Sequence, residues 1–116
     1  MNLSVVILTY NKWPELLPDC LESIIPQLRE GDELLVVDNG SDKPVPSSSQ
    51  YRLARLPVNR GNVGGQNACL DEAKFKLILF VSDDVRLWGG CLKELVDFYE
   101  KHPYIRVQPV IHNLDG

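Results

Sequence analysis

Three apolar runs that each end in polar residues constrain the fold of this chain more than any other feature. They read "LSVVILTYN", "ELLVVDNGSD" and "FKLILFVSDD" and begin at residues 3, 33 and 75. Continuous runs of Val, Ile and Leu are typical of strands that are buried on both faces of a parallel sheet. The sequence therefore predicts three fully buried strands, each with polar side chains at its carboxyl end.

A helical pattern lies between the first two runs. The segment "PELLPDCLESIIPQL" carries apolar residues at helical spacing, and Pro14 and Pro18 suit the first turn of a helix. Pro26 lacks the amide hydrogen that an internal helical position requires, so we expect it to bend or end the helix. The first three predicted elements are therefore a strand, a helix and a strand.

The rest of the chain continues this alternation. "YRLARLPVN" predicts a short strand, and "GNVGGQNACLDEAK" predicts a glycine-rich turn that opens a helix with Ala68, Ala73 and either Cys69 or Leu70 turned inward. "LWGGCLKELVDFYEKHP" predicts an amphipathic helix stopped by Pro103, and "YIRVQPVI" predicts a last strand. The order β-α-β-β-α-β-α-β specifies a layered α/β fold with a mostly parallel sheet and right-handed crossovers. The length of 116 residues suits one domain over residues 1–116.

Net charge, the N-terminal pattern and the cysteines indicate which partners and which cellular compartment to expect. A formal charge of −4 gives no overall positive field, so nucleic acid is not expected as a partner. The N-terminus lacks the pattern of a signal peptide, and the apolar run from Leu77 to Val81 is too short to cross a bilayer. We expect a cytoplasmic protein, with peripheral attachment to the inner face of a membrane left open. The three cysteines, which we expect to be reduced and mostly buried, are Cys20, Cys69 and Cys91.

The polar ends of the predicted strands point to a ligand site. Ligands of open α/β sheets bind in the crevice beyond the carboxyl ends of the strands. One end delivers Asp83 and Asp84 side by side, and such carboxylates repel each other unless a cation, a proton or hydrogen-bond donors compensate. A hard divalent cation with a phosphorylated ligand would supply that compensation. Helix capping by these aspartates and a plain turn at Asp38 remain open alternatives.

Four ordered motifs give the chain a family resemblance. "VVILTYNK", "LLVVDNGSD", "NRGNVGGQN" and "ILFVSDDV" resemble the nucleotide-diphospho-sugar-binding half of inverting family 2 glycosyltransferases. The resemblance spans nearly the whole chain. It implies a Rossmann-like GT-A fold, which is a three-layer sandwich around a mostly parallel central sheet.

The resemblance also implies roles for single residues. Thr9 and Tyr10 would line the pocket for the nucleotide base, and Asp38 would accept a hydrogen bond from the base. Asp83 would hold the ribose or a metal-bound water, and Asp84 would bind the metal. Asp83 and Asp84 are thus the implied ligands of Mn²⁺ or Mg²⁺, at the family's Asp-x-Asp position. The other implied contacts to the nucleotide sugar are Asn11, Asn39, Gly61, Asn62, Asn67 and Ser82, the last standing where many relatives have the first aspartate.

The implied activity is binding of a nucleotide-diphospho-sugar donor for transfer to a saccharide or another hydroxyl acceptor. In such enzymes the general base and most of the acceptor pocket belong to the second half of a longer domain. We therefore expect the base to be absent from this chain and assign no catalytic residue. We also expect self-association through an apolar face left uncovered. The alternative is a non-catalytic nucleotide-binding or nucleotide-sugar-binding module, or a partner-dependent subunit.

Overall fold

The computed structural model describes residues 1–102. Its strands are β1 (Leu3–Thr9), β2 (Glu33–Asp38), β3 (Arg52–Arg55) and β4 (Leu77–Ser82). Its helices are α1 (Leu17–Ile24), α2 (Gly61–Glu72) and α3 (Cys91–Lys101), and a 3₁₀ turn (Ile25–Gln27) follows α1. None of these helices is both long and apolar enough to cross a bilayer, within residues 1–102. The predicted strand "YIRVQPVI" lies outside the described residues.

The four strands form one sheet in the order β3-β2-β1-β4, and every neighbouring pair is parallel. The register places Thr9 opposite Asp38 and Leu8 opposite Ser82. The carboxyl ends of β1, β2 and β4 therefore lie at one edge of the sheet. The predicted parallel sheet is confirmed, and the four described strands contain no antiparallel pairing.

Helices cover both faces of the sheet, which confirms the three-layer architecture. On one face α1 and α3 pack against the odd-numbered side chains of β1, and buried Leu17, Ile24 and Leu92 belong to this core. On the other face α2 contributes Ala68 and Cys69, which pack with even-numbered side chains of β1. All three cysteines are buried and free, as expected.

Helix boundaries differ from the sequence-based ones. Helix α1 begins at Leu17 rather than near Pro14, and it ends at Ile24 because Pro26 lies in a tighter 3₁₀ turn. Helix α2 begins at Gly61, so its glycines belong to the helix rather than to a preceding turn. Leu70 is 49 % exposed on the outer side of α2, and of the two residues considered Cys69 is the one that faces the core.

The prediction that β4 is fully buried is wrong. Phe80, in the middle of this strand, is 45 % exposed, and only Val81 of β4 is buried. Helix α2 packs mainly against β1 and β2, which leaves Phe80 of the edge strand partly uncovered. Among the described residues β4 pairs with β1 alone, which makes it an edge of this sheet.

Gly40 follows β2 and holds the chain in a conformation that glycine alone adopts easily. Its φ is +76°, and a Cβ built on it would lie 2.6 Å from both the backbone nitrogen of Asn59 and the backbone carbon of Val58. The loop before α2 therefore passes directly over Gly40. Both the turn and this close approach require the absence of a side chain.

Replacing Gly40 with alanine is expected to destabilise the fold more than replacing Gly90 does. Both have a left-handed φ, +76° and +85°, but a Cβ on Gly90 would meet nothing within 4 Å. Gly90→Ala should cost about 1–2 kcal/mol from backbone conformation alone. Gly40→Ala should cost clearly more, because backbone atoms must also move. Urea unfolding of both variants measures the difference, and equal losses would contradict the packing of the loop on Gly40.

Candidate functional site

The ends of β1 and β4 are joined by a side-chain hydrogen bond. The Thr9 hydroxyl donates to Oδ2 of Asp83 over 2.8 Å. Thr9 is only 1 % exposed, whereas the next residue, Tyr10, is 40 % exposed. The structure thus leaves Tyr10 accessible to a ligand, and it directs the Thr9 hydroxyl to a neighbouring carboxylate.

The adjacent aspartates lie in the turn after β4. Asp83 is half-buried and Asp84 is exposed. Burial raises the pKa of Asp83, and the charge of Asp84 adds to this; the Thr9 hydroxyl and the charge of Lys12 act in the opposite direction. Helix α3 begins only at Cys91, after Gly90, so the aspartates do not cap it. Within the described residues, the repulsion between the two carboxylates is therefore compensated only in part.

Cys20 of α1 lies beneath this pair. Its thiol donates to the carbonyl oxygen of Ser82 over 3.4 Å. Burial raises the pKa of Cys20 to about 12, and the charges of Asp83 and Asp84 contribute to the increase. The thiol therefore stays neutral at physiological pH and behaves as a packing group under the site.

At the end of β2, the carboxylate of Asp38 organises the loop that follows. It is completely buried and accepts hydrogen bonds from the amides of Ser41 and Val45, at 2.9 and 3.0 Å, and from Nη1 of Arg55 at 2.7 Å. Burial alone would raise the pKa of Asp38, but hydrogen bonds from Ser41 and Val45, with the charge of Arg55, hold it below its usual range. The predicted contact of Asp38 with a base stays a prediction, and both of its oxygens already have internal donors.

Asn11 connects the loops after β1 and β2. It has a positive φ of 54°, and its amide donates to the Ser41 hydroxyl over 2.9 Å. Its side-chain oxygen accepts from the amide of Asp42 at 2.8 Å, and its side-chain nitrogen donates to the Asp42 carboxylate at 3.3 Å. Asn11 was predicted to contact the nucleotide sugar, and here its side chain cross-links two loops.

Asn39 connects the end of β2 to the start of α2. Its side-chain oxygen accepts from the amide of Arg60 at 2.9 Å, and its nitrogen donates to the carbonyl of Gly61 at 3.1 Å. A Cβ on Gly65 would lie 2.9 Å from the Asn39 side-chain nitrogen and 2.7 Å from a methyl group of Leu8. The first turns of α2 are thereby held against the ends of β1 and β2.

The remaining predicted residues are exposed. Gly61 starts α2 with a φ of +74°, and Asn62 accepts a hydrogen bond from Gln66 one turn later. Asn67 is exposed on α2, and Ser82 is exposed at the end of β4. The predicted site residues at the ends of β1, β2 and β4 and at the start of α2 therefore lie at one end of the sheet, and Asn67 lies farther along α2.

Arg55 is a residue of the site that the sequence-based prediction missed. Besides its ion pair with Asp38, it donates from Nη2 to the carbonyl of Ser41 over 2.9 Å. The signal lay in the strand register, because parallel pairing puts Arg55 opposite Asp38. A basic residue that ends a short edge strand beside an acidic strand end is a recognisable pattern once the strands are aligned.

The carboxylates at this edge offer few ligands for a metal ion. No group of three or more His, Cys, Asp or Glu side chains within residues 1–102 could hold one. Asp83 and Asp84 supply two neighbouring carboxylates. Mg²⁺ is typically held by one or two carboxylates together with phosphate oxygens and waters. The pair fits a cation that arrives with a phosphorylated ligand, and it does not form a self-sufficient metal cage.

Comparison with known proteins decides the family. The sequence model described as "Glycosyl transferase family 2" matches residues 4–115. The chain belongs to glycosyltransferase family 2. It is 29 % identical to the uncharacterized glycosyltransferase YwdF of Bacillus subtilis over 110 residues, which are 90 % of this chain and 41 % of YwdF. It is 28 % identical to an uncharacterized glycosyltransferase of Haemophilus influenzae over 112 residues, which are 89 % of this chain and 42 % of that protein.

Solved structures of TarS from S. aureus share the fold of this family 2 domain. The crystal structure of TarS 1-349 has a TM-score of 0.73 at 23 % identity, over 95 % of this chain and 39 % of that one. Its complex with UDP-GlcNAc has a TM-score of 0.77 at 25 % identity, over 89 % of this chain and 32 % of that one. The chain spans about two-fifths of the length of the curated relatives. Both curated relatives are named as glycosyltransferases, which does not favour the alternative of a non-catalytic binding module.

Asp83→Asn is expected to stabilise this domain at neutral pH. A carboxyl whose pKa is raised on folding weakens the folded state once it is ionised, and this penalty is absent below the ordinary aspartate pKa of about 3.9. Asparagine removes the charge and can still accept the Thr9 hydrogen bond. The variant should melt at a higher temperature than the parent at about pH 7, and at a similar temperature at about pH 3.

The matched control is Asp71→Asn, an exposed carboxylate on α2. It should leave the melting temperature nearly unchanged at both pH values. An Asp83→Asn protein that gains nothing at about pH 7, or gains as much at about pH 3, would contradict the electrostatic account of the aspartate pair.

Proposed function

We propose that this chain is the donor-binding domain of its glycosyltransferase and binds a nucleotide-diphospho-sugar at the carboxyl edge of the sheet. The observation that carries the proposal is the only partly compensated pair of Asp83 and Asp84 at the carboxyl edge of the sheet in a family 2 domain. A buried polar network fixes the loops around this edge, whereas within residues 1–102 the Thr9 hydroxyl and the charge of Lys12 offset the pKa increase of Asp83 only in part. A metal-bound diphosphate has the complementary charge.

The class of nucleotide is inferred from the structural neighbours. TarS structures are described as complexes with UDP and with UDP-GlcNAc. We extend this to a uridine-diphosphate sugar as the donor. The exposed ring of Tyr10 lies at the end of the central strand and offers a face on which a base can stack.

Asp84 and Asp83 would hold Mn²⁺ or Mg²⁺, with Asp84 the more accessible of the two. When bound, such an ion supplies Lewis-acid stabilisation of the departing nucleoside diphosphate. The protein's own part is to position the carboxylates. The Thr9 hydroxyl donates a hydrogen bond to Asp83, and Cys20 beneath it is a neutral packing group at physiological pH.

In the complete enzyme, an acceptor hydroxyl would attack the anomeric carbon of the sugar as the bond to the diphosphate breaks, with inversion of configuration. The acceptor is a saccharide or another hydroxyl compound. A general base takes the acceptor proton, and we assign that role to no residue of this chain. Two further expectations stay predictions. The first is a cytoplasmic location, with peripheral membrane attachment left open. The second is self-association through an apolar face, for which exposed Phe80 on β4 is a candidate.

Calorimetric titration tests the proposal. UDP, GDP and dTDP are each added with and without Mn²⁺ to the parent chain, to Asp84→Ala and to Asp71→Ala. We expect the parent to bind UDP in a Mn²⁺-dependent manner, because the aspartate pair and the diphosphate share the cation. Asp84→Ala should weaken this binding by about tenfold or more.

The Asp71→Ala protein is the control, because it removes an exposed carboxylate of α2 that is not among the site residues. It should bind UDP as the parent does. Failure of the folded parent to bind any of the three nucleotides, with or without Mn²⁺, would refute the proposed donor site. Metal-dependent binding that survives Asp84→Ala would refute the assignment of the metal ligands.

A further inference from the structure

Thr9 occupies an unusual position for a residue expected in a base pocket. It ends the central strand, and it is 1 % exposed. The strand pairing puts Leu8 opposite Ser82, so the next step along both strands brings Thr9 beside Asp83. The hydroxyl donates to Oδ2 of Asp83 over 2.8 Å. Burial keeps Thr9 from direct contact with a ligand, and its hydroxyl acts on half-buried Asp83 at the carboxyl edge of the sheet.

The consequence for Asp83 is a fixed carboxylate. An aspartate side chain at a turn can rotate about its last bond, and a hydrogen bond to one oxygen selects one orientation. Asp84, next to it, is exposed. Of the two carboxylates, Asp83 is therefore the one whose direction is set by the sheet itself.

We propose that Thr9 is a positioning residue: it orients the Asp83 carboxylate toward the metal-bound diphosphate and makes no contact with the base. This inference rests on the proposed donor site. Its effect passes through Asp83, so loss of the hydroxyl should weaken the metal-dependent part of nucleotide binding. A residue that touched the base would instead contribute equally with and without the metal.

The test measures how much Mn²⁺ increases the affinity for UDP, by calorimetric titration of the full chain. Thr9→Val removes the hydroxyl at nearly constant shape, and Thr9→Ser keeps it. We expect Thr9→Val to reduce the increase due to Mn²⁺ by about tenfold and to leave metal-free UDP affinity within about twofold. Thr9→Ser should restore the parent value.

Thermal melting of each variant accompanies the titrations and shows whether it folds. If Thr9→Val does not fold, Thr9→Ala replaces it.

Three results would overturn the inference: an unchanged Mn²⁺ effect in Thr9→Val, an equal loss of UDP affinity with and without Mn²⁺, or a Thr9→Ser protein no better than Thr9→Val. A folded parent that binds no UDP would refute the proposed function and this inference together. A parent that binds UDP with no effect of Mn²⁺ would overturn the inference and the metal assignment but not the donor site.

Discussion

The parallel pairing of β1 with both of its neighbours is the constraint on which the rest of the structure depends. β1 lies between β2 and β4, and all three strands run in the same direction. Their polar ends must therefore come out at one edge, although they are far apart in the sequence. Thr9 meets Asp38 on one side and Asp83 on the other. The crevice thus arises from backbone hydrogen bonding, before any side chain contributes to it.

Two acidic strand ends at this edge have opposite surroundings. Asp38 is buried among donors that lower its pKa, whereas burial and a neighbouring negative charge raise the pKa of Asp83. The first carboxylate is satisfied by the fold and stabilises the loop after β2. The second is stabilised incompletely by the fold. Such a perturbed group in a cleft is typical of a functional site, since a ligand can supply the missing compensation.

The sequence predicted best the elements whose structure depends on local residue pattern alone. Continuous apolar runs indicated strands, of which β1 and β2 are almost wholly buried, and their polar ends had to meet once the sheet was parallel. The errors arose from tertiary packing. Phe80 is exposed because α2 lies over other strands, and no pattern within β4 reports where that helix packs. The start of α1 was misplaced because proline is tolerated at several early positions.

Prediction of the site from the sequence had the same limit, because contacts between distant segments were missed. The family resemblance of four motifs implied a nucleotide-sugar site, but it did not show which polar groups the fold would use for its own hydrogen bonds. Asn11 and Asn39 cross-link loops, and Arg55 completes the shell of Asp38. These contacts join segments about 17 to 31 residues apart and depend on the strand register. They become predictable only after the sheet has been aligned.

The central claim is that the carboxyl edge of the sheet binds a metal–nucleotide complex, and paramagnetic broadening by Mn²⁺ tests it most directly. Amide NMR signals of the full chain would be recorded with UDP and substoichiometric Mn²⁺, with Mg²⁺ as the diamagnetic reference. The account predicts the strongest broadening at Asp83 and Asp84, with weaker effects at Thr9 and Tyr10. Broadening centred elsewhere, for example near the opposite strand ends at Leu3, would contradict it.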